Sequence, residues 1–414
     1  MLLLFLVQIG VILSVSRLLG WAFRRLHQPQ VVGEMLAGLL LGPSLLGNLA
    51  PGFWGWLFPP SHMGLLHGAS QLGLVLFMFL IGLEVDPRLL RQTQRAAVRV
   101  AQAGIVVPFA LGGLLGWGLH GVFAPEGVPR WVFALFMAVA MSITAFPVLA
   151  RILSERNLLH SPVGVISIVA AGIKDVVGWL MLALMLALVR PGQWGLAALA
   201  LLGVLAYAVA LLGPGRRLLE RLICWYRLRG QVSQDILAVV LGLVLFSSIL
   251  TEGIGVHALF GAFLLGLAMP KDPSFVREIG QRIEDLVTVL LLPLFFAYTG
   301  LRTDLSLLLD GSVWVYGLLV FAVAIAGKFG ACAGIARLMG LDGRAAWAIG
   351  ALMNTRGLME LVILNIGLDL GVISRELFTL MALMAIATTL MATPLLQLLY
   401  PARARHLEPQ PEIR

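Results

Sequence analysis

The chain has 414 residues, of which 60% are hydrophobic and only 12% charged, with a formal net charge of +8. Hydrophobicity at that level excludes an ordinary soluble protein and a disordered one, and leaves an all-α polytopic membrane protein whose main partner is the lipid bilayer. The positive charge does not indicate nucleic-acid binding, because the basic residues lie in short segments between apolar runs rather than along one stripe.

Apolar runs centre near residues 12, 40, 74, 107, 142, 176, 203, 243, 262, 293, 325, 356 and 386, which predicts about thirteen transmembrane helices. The first has no basic residue before it and no small-residue cleavage site after it, and reads as a retained helix. With the N-terminus outside, 22 of the 29 Lys and Arg residues fall on the inner side, four (Arg130, Arg190, Arg302, Arg375) on the outer side and three (Lys174, Lys328, Arg356) at mid-membrane. The asymmetry sets the N-terminus outside and the C-terminus in the cytoplasm. Trp54, Trp56, Trp131, Trp194 and Trp314 stand near outer ends of spans, as an aromatic belt requires. Cys224 and Cys332 are too differently placed to pair, and neither has metal-ligand spacing.

The third span ends Gly82-Leu83-Glu84-Val85-Asp86 and is followed by Leu89-Leu90; the tenth ends Gly300-Leu301-Arg302-Thr303-Asp304 and is followed by Leu307-Leu308. The shared spacing, seven spans apart, predicts an inverted-topology repeat, an arrangement that places a binding site near the midplane at interrupted helices. Spans four to six then match spans eleven to thirteen, and the middle member of each set is broken. Span five carries Ser142-Ile143-Thr144-Ala145-Phe146-Pro147, where Pro147 deprives a carbonyl of its helical donor. Span twelve carries Asn354-Thr355-Arg356-Gly357. Two interrupted helices crossing there would offer helix ends and carbonyl oxygens to an ion. The basic loop from about Gly213 to Gln234 is expected along the membrane surface. Residues 1–400 read as a single transmembrane domain and 401–414 as a short cytoplasmic tail, with no glycine fingerprint of a nucleotide-binding module.

Span six, from about Val163 to Leu188, holds Lys174 and Asp175 at its centre, where charge costs at least ~2.5 kcal/mol per residue. A carboxylate there suits a proton or a hard alkali cation. Asp175, with Thr144, Ser142 and the carbonyls freed by Pro147, forms a candidate cage. Proton and cation need the same oxygens, so each excludes the other. In a second reading Asp175 is one half of a structural ion pair. Lys328 is its natural partner when no cation is bound, either releasing a proton or only holding the two halves together. Arg356 and Glu360, spaced i, i+4, read as a supporting ion pair. His257 reads as a hydrogen-bonded packing residue, and Glu34, Glu84 and Asp86 as solvated helix-end charges.

Gln28-Pro29-Gln30-Val31-Val32-Gly33-Glu34 with Gly38 and Gly42-Pro43, Leu80-Ile81-Gly82-Leu83-Glu84, Ser142 to Ala150 and Asn354 to Leu361 together resemble the monovalent cation:proton antiporter-2 family, the last stretch most like its plant cation/proton exchanger branch. The resemblance implies a sodium/proton antiporter-like fold and a homodimer. Dimerisation helices would lie at about 1–90 and 194–302, and a core at about 96–190 and 312–400 that moves as an elevator. It implies Asp175 as transport carboxylate, Thr144 as ligand and Lys328 as partner, exchange of Na+ or K+ for protons, and no covalent catalysis or organic cofactor. In a prokaryote such a protein resides in the plasma membrane, the inner membrane if Gram-negative. One departure is Lys174, where the family usually has Asp, Asn or Gln. It leaves three accounts open: Lys174 turned toward Glu360 or a polar seam, Lys174 exchanging a proton itself, or a chain that no longer transports cations. The alternatives in other classes are a transport-inactive sensor or scaffold with Lys174 as tethered cation, and an organic-anion carrier.

Overall fold

The structure, a computed structural model, describes residues 2–26, 28–84, 95–156, 158, 161–189, 202–203, 205–254, 257–308 and 311–400. In chain order the helices are α1 (Leu2–Arg25), α2 (Gln30–Leu41), α3 (Pro51–Leu57), α4 (Met63–Glu84), α5 (Arg95–Phe123), α6 (Arg130–Ser142), α7 (Phe146–Glu155), α8 (Pro162–Val189) and α9 (Arg216–Arg229). They continue with α10 (Gln234–Ile254), α11 (Ala258–Ala268), α12 (Pro273–Leu286), α13 (Leu292–Leu301), α14 (Gly311–Ile325), α15 (Ala331–Leu338), α16 (Gly343–Met353), α17 (Leu358–Asp369) and α18 (Arg375–Leu399). Wide turns at Val287–Leu291 and Ala326–Gly330 join α12 to α13 and α14 to α15. Local chemistry sets the boundaries. Asp272 accepts from the Ser274 and Phe275 amides ahead of Pro273, Asp342 from Arg344 and Ser374 from Leu377, each capping a helix start. Gly230, at φ 70°, ends α9 in the left-handed conformation.

Among the described residues nine helices are long and apolar enough to cross a bilayer, with shorter apolar helices at Arg130–Ser142 and Ala258–Ala268. Asp86 with Leu89-Leu90, Arg190, Trp194 and the tail 401–414 lie outside the described residues. The expected surface loop from Gly213 to Gln234 is corrected: the chain is helical through Arg229, and only residues 230–233 turn. Arginine is a good helix former, and Leu219, Leu222 and Tyr226 give α9 a buried stripe, with the Tyr226 hydroxyl donating to Glu278 at 2.7 Å.

The chain divides into two compact units. The first comprises Met1–Leu18, Glu34–Arg88 and Trp179–Arg302. In it, two helix crossings are made by glycine against backbone. A Cβ on Gly38 of α2 would run into the Phe296 carbonyl of α13, and one on Gly300 of α13 into the Gly38 backbone. A Cβ on Gly82 of α4 would run into the Phe263 carbonyl of α11, and one on Gly266 of α11 into the Phe79 carbonyl. Gly82 and Gly300 are the repeat's paired glycines, and Gly38 and Gly266 each follow another glycine, Gly33 and Gly261, by five residues. The two segments thus each make a close helix crossing, where small residues let backbones touch. At the second crossing Lys271 Nζ donates to the carbonyls of Gly82, Leu83 and Gly266 at 2.8, 2.8 and 3.0 Å, capping two helix C-termini at once.

The second unit comprises Leu19–Gly33, Leu89–Gly178 and Thr303–Arg414. It contains both broken helices, α6/α7 and α16/α17, each placed in sequence between long helices: α5 and α8 for the first, α14/α15 and α18 for the second. Close approach again depends on glycine: a Cβ on Gly112 of α5 would lie 2.7 Å from the Met137 carbonyl of α6, and one on Gly116 would lie 2.9 Å from the Ala134 Cα. Replacing Gly300 with Ala is expected to destabilise the protein by about 1–3 kcal/mol through overpacking. Gly242→Ala in α10, where a Cβ meets nothing within 4 Å, is expected to be neutral or stabilising. Unfolding temperatures of the two variants in detergent check the contrast.

Candidate functional site

All the residues of the candidate site belong to the second unit. The first break follows from Pro147. A helix through this segment would bond the residue-147 amide to the Ile143 carbonyl, and proline has no such donor. α6 accordingly stops at Ser142, Ile143 is extended (φ −73°, ψ 142°), and α7 restarts at Phe146 with Pro147 second, a place where a missing N–H costs nothing. The open Ile143 carbonyl accepts from Lys328 Nζ, which is fully buried at the wide turn between α14 and α15. One turn past Asp175, a Cβ on Gly178 would lie 2.9 Å from Ile143 Cγ1, so α8 runs against the break.

The second break spans Asn354 to Gly357. Its Thr355 carbonyl accepts from the Ala145 amide at 3.4 Å, which makes the two breaks cross. The Arg356 amide donates to Thr389 Oγ1 of α18 at 2.9 Å, and the Thr389 hydroxyl also bonds the Arg356 carbonyl. Gly357 is required by proximity: a Cβ there would lie 2.9 Å from Val148 Cγ2 of α7. Arg356 Nη1 donates to both Glu360 oxygens, at 2.6 and 2.7 Å, and Nη2 reaches the Met141 carbonyl at 3.4 Å. Cations thus meet the C-terminal carbonyls of α6, while Glu360 lies in the first turn of α17, each sign at the helix end that favours it.

Asp175 is 1% exposed, and neither carboxylate oxygen has a hydrogen-bond partner. The Phe146 amide at the start of α7 is directed toward it without completing a bond of normal geometry, and Lys174 and Lys328 are the charged groups in its reach. Lys328 bonds Ile143 rather than pairing directly with Asp175. The Thr144 hydroxyl and Asn354 Oδ1 are likewise buried without hydrogen-bond partners, and each lies within one residue of the Ala145–Thr355 bond. Ser142 gives its proton to the Ala138 carbonyl at 2.7 Å. Lys174 does not face Glu360. Its ammonium packs at Gly104 of α5 beside Cys332 of α15.

Elsewhere His257 caps α11, its Nδ1 accepting from the Leu259 amide at 3.4 Å. Glu84 is exposed, whereas Glu34 is buried at 5% exposure, a correction to its reading as solvated charge. Thr389 and Gly104 were not singled out from the sequence. Thr388-Thr389, a hydroxyl pair midway along an apolar span, was the available signal for the first, and Gly104 left none. Among the described residues no group of three or more His, Cys, Asp or Glu side chains is placed to hold a metal ion.

Two broken helices crossing in an apolar bundle, with buried charges at their ends, are the architecture of a secondary transporter. A sequence profile of the family described as sodium/hydrogen exchanger, transmembrane, matches residues 11–399, and the chain belongs to that family. It is 42% identical over 404 residues to the Na+/H+ antiporter NhaS4 of Synechocystis sp., covering 97% of this chain and 98% of that one. It is 40% identical to cation/H+ antiporter 17 of Arabidopsis thaliana, with 96% of this chain covered but only 48% of that one, so the chain spans about half the length of this relative. The sodium/proton antiporter MjNhaP1 of Methanocaldococcus jannaschii shares the fold, with a TM-score of 0.70 at 16% identity over 96% of this chain and 99% of that one. The protein is therefore a multi-pass secondary transporter of the cation/proton antiporter superfamily, related to its type-2 antiporters, and not an enzyme. A transport-inactive sensor or scaffold is not favoured by this kinship.

Removing one member of the buried Arg356–Glu360 pair leaves the other uncompensated. Glu360→Ala is expected to cost about 3–5 kcal/mol, and the double change Arg356→Met/Glu360→Leu much less. Unfolding of purified protein by heat checks both.

Proposed function

We propose that the protein exchanges Na+ or K+ for protons by letting the two compete for Asp175, with Thr144 as a second cation ligand and Ser142 and Asn354 nearby oxygens. The observation that carries this reading is a buried carboxylate with both oxygens unpartnered beside a helix interruption. A bare carboxylate in an apolar interior is costly, and a proton or a cation neutralises it equally in charge. The neutralised site moves across the membrane with the second unit, and the empty charged one does not. That rule couples the two flows without any covalent step.

In this reading the second unit is the mobile core and the first the dimerisation scaffold of a homodimer, working as an elevator. Thirteen spans are reached by adding to the nine long helices the two interrupted ones and those ending at Arg229 and Ala268. The same reading takes the chain as a type-2 cation:proton antiporter of a prokaryotic plasma membrane with its N-terminus outside; the charge asymmetry of its loops and the likeness to its relatives support it. Lys328 holds the first break open by its bond to Ile143 and partners Asp175 electrostatically.

Proteoliposomes with an imposed pH gradient test the proposal. Na+ or K+ is expected to collapse the gradient in the wild type. The apparent cation KM rises as pH falls while the rate at saturating cation holds, as competition requires. Asp175→Asn is expected to abolish the flux; retained exchange in that variant contradicts the proposal.

A further inference from the structure

A lysine next to a cation-binding carboxylate is the least expected residue in the site, and the place of its side chain depends on Gly104. Lys174 and Asp175 project about 100° apart around α8. The Lys174 ammonium is buried, makes no hydrogen bond and no ion pair with Asp175, and lies where α5 and α15 approach. A Cβ on Gly104 would come 2.7 Å from Lys174 Nζ, 3.3 Å from its Cε and 2.7 Å from Cys332 Sγ. The ammonium thus occupies space that any other residue at 104 would fill. The charged and titratable groups around it are Cys332, Arg356, Lys328 and Asp175. Of these, Arg356 and Lys328 repel it, and Asp175 is the one carboxylate.

We propose that Gly104 is a positioning residue for transport: it provides the seat that holds the Lys174 ammonium clear of Asp175 and leaves the carboxylate oxygens to the cation. The proposal rests on Asp175 being the transport carboxylate. A methyl group at 104 displaces the ammonium, since Nζ is the far end of a flexible chain, whereas Cys332 Sγ turns on a single torsion and bonds the Val100 carbonyl at 3.8 Å. The displaced ammonium goes to Asp175 and uses the oxygens the cation needs. The seat also explains how this chain accommodates a lysine at 174.

The test is cation KM and maximal rate in proteoliposomes, with Na+ and K+ each as probe, for the wild type, Gly104→Ala, Gly104→Ala/Lys174→Gln and Lys174→Gln. Gly104→Ala is expected to raise KM about tenfold with little change in maximal rate, a loss of binding alone. In the Lys174→Gln background the same change is expected to leave KM where Lys174→Gln sets it, and adding Cys332→Ala to Gly104→Ala is expected to restore affinity by making room. A Gly104→Ala KM within twofold of wild type, or a rise that persists without Lys174, overturns the proposal. Should Gly104→Ala not fold, Cys332→Ala alone enlarges the seat and is expected to leave KM at or below the wild-type value; a rise overturns it. Exchange retained in Asp175→Asn, or absent from the wild type with both ions, refutes the underlying assignment of Asp175 instead.

Discussion

Backbone amides and carbonyls buried in an apolar interior must find partners, and breaking a membrane helix leaves several without any. The second unit breaks two helices where they cross and then supplies the missing partners from specific residues. The carbonyl orphaned by Pro147 goes to Lys328, the Thr355 carbonyl to the Ala145 amide, and the Arg356 amide to Thr389. Arg356 spans both breaks, bonding Glu360 on its own side and the Met141 carbonyl on the other. Each partner is itself polar or charged and buried, so the crossing stands or falls as a set.

Buried side-chain atoms without a hydrogen-bond partner occur in several parts of the chain, and four of them are oxygens at the site. Both Asp175 oxygens, the Thr144 hydroxyl and Asn354 Oδ1 have no hydrogen-bond partner. These open oxygens are the ones that the proposed exchange gives to its proton or cation. In the repeat expected from the sequence, α18 corresponds to α8. Thr389 on α18 serves the Arg356 amide much as Asp175 on α8 faces the Phe146 amide. Where one half closes the break with a neutral hydroxyl, the other presents a carboxylate.

Much of this was legible in the sequence because membranes penalise exceptions. Lys174, Asp175, Lys328, Arg356 and Glu360 are visible as charges inside apolar runs, and Pro147 and Asn354 as interruptions. The paired Gly-Leu-x-x-Asp segments pointed to a repeat, and their glycines Gly82 and Gly300 each lie at a helix crossing against backbone. What stayed hidden depends on three-dimensional proximity. Gly104 is one glycine among many until Lys174 is seen to fill its space, and Thr389 looks like an ordinary helix hydroxyl until Arg356 lies against it. The arginines of α9 imitate a loop because they are exposed, although arginine favours helix and Leu219, Leu222 and Tyr226 pack; Glu34 imitates a solvated helix end although it is buried.

The central claim is that one carboxylate binds a proton or a cation and never both. It is tested most directly by titrating detergent-solubilised protein with Na+ or K+ in weakly buffered solution and following proton release with a pH indicator. Where Asp175 begins protonated, the account calls for release of one proton per cation bound, and for neither binding nor release in Asp175→Asn. Cation binding without proton release, or release that survives the substitution, would contradict it.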